Sequence, residues 1–334
     1  MLARAANNLY WMSRHIERAE NTARMLDVTY RMSLLPYRVL EAGQEWADPW
    51  ALPLVITGRA TEYYERYAEI TPNNVLHFMV IDAANPSSIY SCIQSARENA
   101  RSVRGAITSE MYEDLNELWL NIRKVDYPHV ESRGVSEFFD WVKLQSHQFR
   151  GVTFGTMLRD EGYQFIRLGT FIERADNTAR IVDVKYHTLL PSAADVGGAV
   201  DYYQWSALLR SVSAFDAYRK VYRDVITPMK VAELLILRDD VPRSLHACMN
   251  DIYEILRGLS DKTQLEAERM AGELHAMLHY GRTPQIFELG LHEYLMQFLD
   301  GIDKLATEIN KDFLVPVYPL QAVHAVAGTQ TQVN

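Results

Sequence analysis

Glu17, Arg18, Glu20, Asn21, Arg24 and Asp27 fall at helical spacing in the stretch IERAENTARMLD. Glu173, Arg174, Asp176, Asn177, Arg180 and Asp183 repeat them in IERADNTARIVD. Carboxylates and guanidinium groups one turn apart suit two uses. They can satisfy one another as a buried ion network, or they can line a polar pocket for an amino-acid- or peptide-like ligand. In the pocket reading, Arg24 and Arg180 take the ligand's carboxylate, and Glu17 and Glu173 take its amine. A third use, Glu17 or Glu173 as a general base in peptide-bond formation or cleavage, meets an objection. An arginine nearby lowers a carboxylate pKa and makes it a poor base at neutral pH. The pairs Glu20–Arg24 and Asp176–Arg180 are i,i+4, and if exposed each is worth only a few tenths of a kcal/mol. That is too little to hold so many identities across two stretches, so the stripes are expected to be at least partly buried.

Other groups carry weaker signals. Arg97, Arg101 and Arg104 line one helical face of ARENARSVR, where they could meet an anion or an acidic partner surface. His275 and His279 are i,i+4, with Glu273 nearby and His292-Glu293 downstream, a spacing able to hold zinc or iron. The corresponding earlier positions hold Trp119 and Arg123, and neither HExxH nor a paired ExxH occurs, so no metal is expected. No cofactor is expected either, for the chain has no Walker A loop, no GxGxxG and no GxSxG. Cys92 and Cys248 sit in apolar helical runs and read as core, in keeping with a reducing cytoplasm.

These residues must be positioned by helices that come in two sets. The second phrase follows the first at an offset of 156, and His15 to Tyr30 matches Phe171 to Tyr186 at 11 of 16 positions. Thr71-Pro72 pairs with Thr227-Pro228, Cys92 with Cys248, and Glu137 with Glu293 at the same offset. The chain therefore reads as a tandem duplication: helical repeats over 1–156 and 157–312, with a flexible C-terminal tail over 313–334. Apolar spacing near 3.6 predicts helices over 5–34, Trp50–Glu69, Asn74–Ala83, Ser87–Ile107, Glu110–Val125 and Val135–Phe149. Loops are expected over 36–48, 126–134 and 191–200. On a wheel, Met12, Ile16, Ala19, Ala23, Leu26 and Tyr30 form the core stripe, and Leu168, Ile172, Ala175, Ala179, Val182 and Tyr186 its copy. The expected fold is an all-α, internally duplicated helical bundle.

Composition narrows the partners. With 334 residues and 48% hydrophobic content the chain can bury a large core. A net charge of −9 argues against a nucleic-acid partner. No run is long and apolar enough for a signal peptide or a membrane span, so a cytoplasmic home is expected.

The two phrases resemble the signature of the bacterial alpha-E domain family, a domain of unknown function. NNLYWMSRHIERAENTAR, NPSSI, ARENARSVR, MYEDLN, PRSL and RLGTFIERADNTAR are all similar to family motifs, and together they span essentially the whole chain. Tyr112 stands where the family often has tryptophan, a mild packing change. The resemblance implies an all-α fold and a partnership with a circularly permuted ATP-grasp protein, often with a transglutaminase-like protease alongside. ATP-grasp enzymes activate a carboxylate for attack by an amine, so it further implies a role in making or processing a peptide-like amide bond. It supplies no catalytic residues.

Overall fold

The computed structural model describes residues 1–34, 49–126, 130, 134–187, 198–260 and 265–315. The loop expected over 36–48, most of those over 126–134 and 191–200, and the tail beyond 315 lie outside these residues. The architecture is all-helical, with no strand among the described residues.

Two long helices form the centre: α1 (Ala3–Ser33) and α8 (Glu161–His187). They lie side by side and run in the same direction. The Met1 amino group meets Glu161, Tyr10 meets Gly169, and Glu17 meets Arg174. The contact is close because position 169 is glycine. A Cβ there would collide with the Tyr10 carbonyl and Ser13 Oγ. The predicted core stripes are buried from Met12 through Leu26 and from Leu168 through Val182, whereas Tyr30 is half-buried and the side chain of Tyr186 lies outside the described ones.

Shorter helices wrap this pair. The first set is α2 (Leu52–Ile56), α3 (Ala60–Tyr64), α4 (Pro72–Leu76), α5 (Ile89–Ser102), α6 (Ser109–Ile122) and α7 (Val135–Thr156). The second is α9 (Ala199–Ser211), α10 (Phe215–Tyr222), α11 (Pro228–Ala232), α12 (Leu245–Leu259), α13 (Glu266–His279), α14 (Thr283–Leu289) and α15 (Leu291–Ile309). Helices α5 and α7 pack on α1, and α12 and α15 pack on α8. The buried apolar side chains of both sets join in one cluster.

Local signals recur at the offset of 156. Thr71 and Thr227 cap α4 and α11 by accepting the amides of Asn74 and Lys230, each with proline at the next position. Each of those helices runs on into a π turn, His77–Ile81 and Glu233–Leu237. Ser88 and Ser244 cap α5 and α12. Gly134 and Gly290, at φ of 93° and 100°, turn the chain into α7 and α15.

Several predicted boundaries move. The helix expected over Trp50–Glu69 is a 3-10 turn (Pro49–Ala51) followed by α2 and α3, because Gly58 at φ 64° turns the chain between them. The helix expected to reach Ile107 stops at Ser102, where the chain bends and buries Val103 and Ile107. Helix α7 continues past Phe149 to Thr156, since Phe149 and Thr153 are still on its buried face. Of the tail expected from 313, the first residues close a π turn, Asn310–Leu314.

Candidate functional site

The Glu-Arg dipeptides of α1 and α8 meet at the centre and exchange partners. Glu17 receives Arg174 on both oxygens, Nε at 2.9 Å and Nη2 at 3.0 Å. Glu173 receives Arg18 in the same fashion, Nε at 2.6 Å and Nη2 at 2.8 Å. Such forked pairs are the strongest hydrogen bonds available to a carboxylate. Further guanidinium groups close the network. Arg243, just before α12, donates to Glu17 at 2.9 Å, Asn21 Oδ1 at 2.9 Å and Glu20 at 2.5 Å. Arg150 of α7 donates to Glu17 at 3.0 Å and Glu20 at 2.5 Å, while Arg14 donates to Glu173 at 2.9 Å.

Glu17 and Glu20 are 1% and 0% exposed, so their charge states depend on these partners. Burial alone would raise the Glu17 pKa; Arg174 and Arg243 reverse that and hold it below the usual carboxylate range. Glu20 is likewise held well down, against burial, by His147, Arg243 and Arg150. At Glu173, Arg18 and Arg14 overcome burial and hold the pKa at about 2. All three are therefore ionised at neutral pH, and each oxygen of Glu17 and Glu173 already accepts from a guanidinium group.

The two stripes part ways beyond the central dipeptides. In α1, Glu20, Asn21, Arg24 and Asp27 are buried. In α8, Asp176, Asn177 and Arg180 are half-exposed, and Arg180 simply pairs with Asp176 at 2.9 Å. Asp183 accepts from His292 at 2.7 Å. The cause lies in the neighbours. Ser146, His147, Arg150 and Arg243 converge on the first stripe, whereas the positions 156 away hold Ile302, Asp303, Ala306 and Ser87. The second stripe has lost the polar partners that would bury it.

Arg24 stands where the network opens to solvent. Its Nε donates to Glu20 at 2.8 Å, Nη2 lies 3.1 Å from His147, and Nη1 bonds Ser213 Oγ. Ser213 adopts φ 56°, a conformation unusual for a residue with a side chain, and thereby turns its hydroxyl to Arg24. Beyond lies a cleft of about 600 Å³ between α1, α7, α9 and α10. Arg24, Arg31, Lys143 and Arg210 line it, together with Asp27 and Asp216. Asp27 is saturated by Arg31 at 2.9 Å, Lys143 at 3.0 Å and Ser136 at 2.9 Å. Arg210 lies 3.9 Å from the centre of the Phe215 ring, exposed and with no carboxylate partner among the described residues. Arg180 opens instead onto a separate hollow of about 290 Å³ with Asp183 and Leu299. Arg24 and Arg180 thus do not share a pocket.

The remaining candidates lie apart from this site. Arg97 reaches Asn116 and Glu98, Arg101 pairs with Glu98 at 2.8 Å, and Arg104 covers the Tyr112 ring at 4.6 Å. Arg101 and Arg104 are exposed. Cys92 and Cys248 are wholly buried, and burial pushes both thiols up to about 12. His275 and His279 lie beside His246, with one ring nitrogen from each within 4.8 Å of the others, whereas Glu273 turns away to Arg269 and His292 to Asp183. Ser146, Arg150, Lys143, Arg210 and Arg243 could not be assigned from spacing, because they reach the site from other parts of the chain. The available signals were NNLYWMSRHIERAENTAR, which contains Arg14, and PRSL, which contains Arg243.

An all-helical molecule held together at its centre by exchanged Glu-Arg pairs matches one known class. The model of the Alpha-E family, described as a predicted alpha-helical domain with a conserved ER motif, covers residues 1–314, and the chain belongs to that family. Similar curated proteins include uncharacterized proteins of Mycobacterium bovis and of Mycobacterium tuberculosis strain CDC 1551, each 24% identical over 90% of this chain. A further one, from Mycobacterium tuberculosis strain H37Rv, is 23% identical over the same share. The chain spans 35% of the length of these relatives. No solved structure matches. No described helix is long and apolar enough to cross a membrane.

Proposed function

We propose that the protein is a non-catalytic, ligand-binding accessory component of an ATP-grasp-dependent system that forms peptide or amide bonds, acting in the cytoplasm. It is built from two copies of one helical unit, over 1–156 and 157–312. The two central dipeptides are the architectural joint between the copies, and the cleft beside Arg24 is the binding site. The observation that carries this reading is the cleft's charge. It offers Arg210 without a carboxylate partner among the described residues, a guanidinium at Arg24 held by the buried network, and an exposed carboxylate at Asp216. A cleft of that size suits a short peptide or amino acid, whose carboxylate would meet Arg24 and Arg210 and whose amine would meet Asp216. The resemblance to the alpha-E family supplies the ATP-grasp partner. Calorimetric titration of the full chain with amino acids and short peptides tests the reading: saturable binding is expected, and the absence of heat across the series overturns it.

A second reading is a helical scaffold that docks to the ATP-grasp protein. It is favoured by the relatives' greater length, which leaves room for a fused partner. Co-purification with the encoded ATP-grasp protein tests it, and failure to recover a complex counts against it.

A further inference from the structure

Helix α12 begins Leu245-His246, and α13 carries His275 and His279 one turn apart near its end. Three of the chain's ten histidines thus meet at one place, drawn from two helices. Their rings lie 5.4–5.8 Å apart, centre to centre.

His246 is the most informative of the three. Its Nδ1 lies 2.8 Å from the Leu237 carbonyl. A carbonyl only accepts, so Nδ1 carries the proton and Nε2 presents a lone pair. That Nε2 is buried and has no hydrogen-bond partner, in a residue only 6% exposed. A buried imidazole with one nitrogen fixed by a backbone carbonyl and the other left bare is how proteins prepare a metal ligand. The His275 ring is oriented by Asn250, whose Oδ1 is 2.7 Å from its Nε2. His279, on the exposed side, leaves a face open to solvent.

The first half of the chain supplies a control. At the offset of 156, His246, His275 and His279 correspond to Tyr90, Trp119 and Arg123. Those three also pack together, with the Tyr90 and Trp119 rings 5.3 Å apart and the Arg123 guanidinium 5.6 Å from Trp119. An aromatic and cation–π cluster therefore fills this corner adequately without histidine. The second half has histidine at all three positions, giving up apolar contact and leaving a buried nitrogen unsatisfied. Packing offers no reason for that exchange; ligation does.

We propose that His246, His275 and His279 form a binding site for a divalent transition metal, of which zinc is the type case. Three imidazoles with the fourth position left to water suit such an ion. Three atoms at most 4.8 Å apart have a common centre about 2.8 Å away, so each needs to move only roughly 0.7 Å to reach the zinc–nitrogen length of about 2.0–2.1 Å. The site is independent of the cleft ligand. Sequence spacing suggested only a pair, because His246 lies on a different helix.

The test is titration of the metal-free full chain with Zn²⁺ by calorimetry, and with Co²⁺ by its visible absorption. The comparison is with the triple variant H246Y/H275W/H279R, which copies the first half's packing and so keeps the fold, and with His275→Ala. The wild type should bind one equivalent, with the visible bands of nitrogen-ligated cobalt. The triple variant should lose the site, and His275→Ala should weaken it at least tenfold. No saturable binding by the wild type, or binding that the triple variant retains unchanged, overturns the proposal.

Discussion

Glu17 and Glu173 play the same part with different numbers of partners, so their removal should be unequal. Glu17 shares Arg243 and Arg150 with Glu20 and alone neutralises Arg174, whereas Glu173 is the carboxylate for both Arg18 and Arg14. Breaking a buried pair by removing one charge costs about 3–5 kcal/mol because the other charge stays buried. Thermal unfolding of Glu17→Gln and Glu173→Gln should show both destabilised, Glu173→Gln the more, by on the order of ten degrees. An unchanged or raised melting temperature would mean that these carboxylates are held at a cost to stability, which points to ligand binding instead. The same groups set the pH response. Burial, aided by Arg18, lowers the His15 pKa from 6.5 to about 4, so only the unfolded chain takes up that proton between those values. Stability therefore falls as pH drops through that window. Glu173, lowered from 4.5 to about 2, contributes fully above 4.5 and loses its contribution as pH falls towards 2. Melting temperature should be level from about pH 7 to 8 and decline in these two stages below. His15→Gln should flatten the first, and a wild-type curve level down to pH 4.5 would refute the assignment.

At the level of elements, the exchange of partners depends on how closely α1 and α8 approach. The forked pairs have no slack, since both guanidinium groups already bond at 2.6–3.0 Å. Gly169 sets the separation about one turn before Glu173–Arg174, against Tyr10 and Ser13. Gly169→Ala adds one methyl group where there is a backbone carbonyl, and that carbonyl cannot move aside as a side chain would. Overpacking of this sort costs about 1–3 kcal/mol, and the opened network adds to it. Gly258→Ala is the control, since a Cβ there meets nothing and alanine favours the helix. Chemical denaturation should place Gly169→Ala well below wild type and Gly258→Ala at or above it. Equal stability of the two variants would show that the helices do not need glycine to meet.

Across the whole molecule, the two helical sets share one core yet present different surfaces. The first stripe gathers Arg150 and Ser146 from α7 and Arg243 from beyond the π turn at 233–237, and so is sealed by both sets. The cleft follows from that arrangement, because α1 and α7 make one wall and α9 and α10 the other. Arg210 and Asp216 are exposed and lie outside the network, so they can be changed without touching it. Arg210→Gln and Asp216→Asn should weaken peptide or amino-acid binding at least tenfold in the titration described above, with melting temperatures near wild type. Binding unaffected by both changes would place the ligand elsewhere.

Some of this was written in the linear chain. The period of Met12, Ile16, Ala19, Ala23 and Leu26 is a local signal, and it produced the helix it predicted. The charge stripes were legible as residues worth burying, because exposed pairs are too weak to account for them. Which oxygen meets which guanidinium was not legible, since every decisive partner lies more than 120 residues away: Arg150 from Glu17, Arg174 from Glu17, Arg243 from Glu20. Spacing along a helix fixes a direction, but only packing brings another helix into that direction. For the same reason the two stripes looked equivalent in sequence and are not. Their own residues are nearly identical, and it was Ser87, Ile302 and Ala306, in place of Arg243, Ser146 and Arg150, that decided which one would be buried.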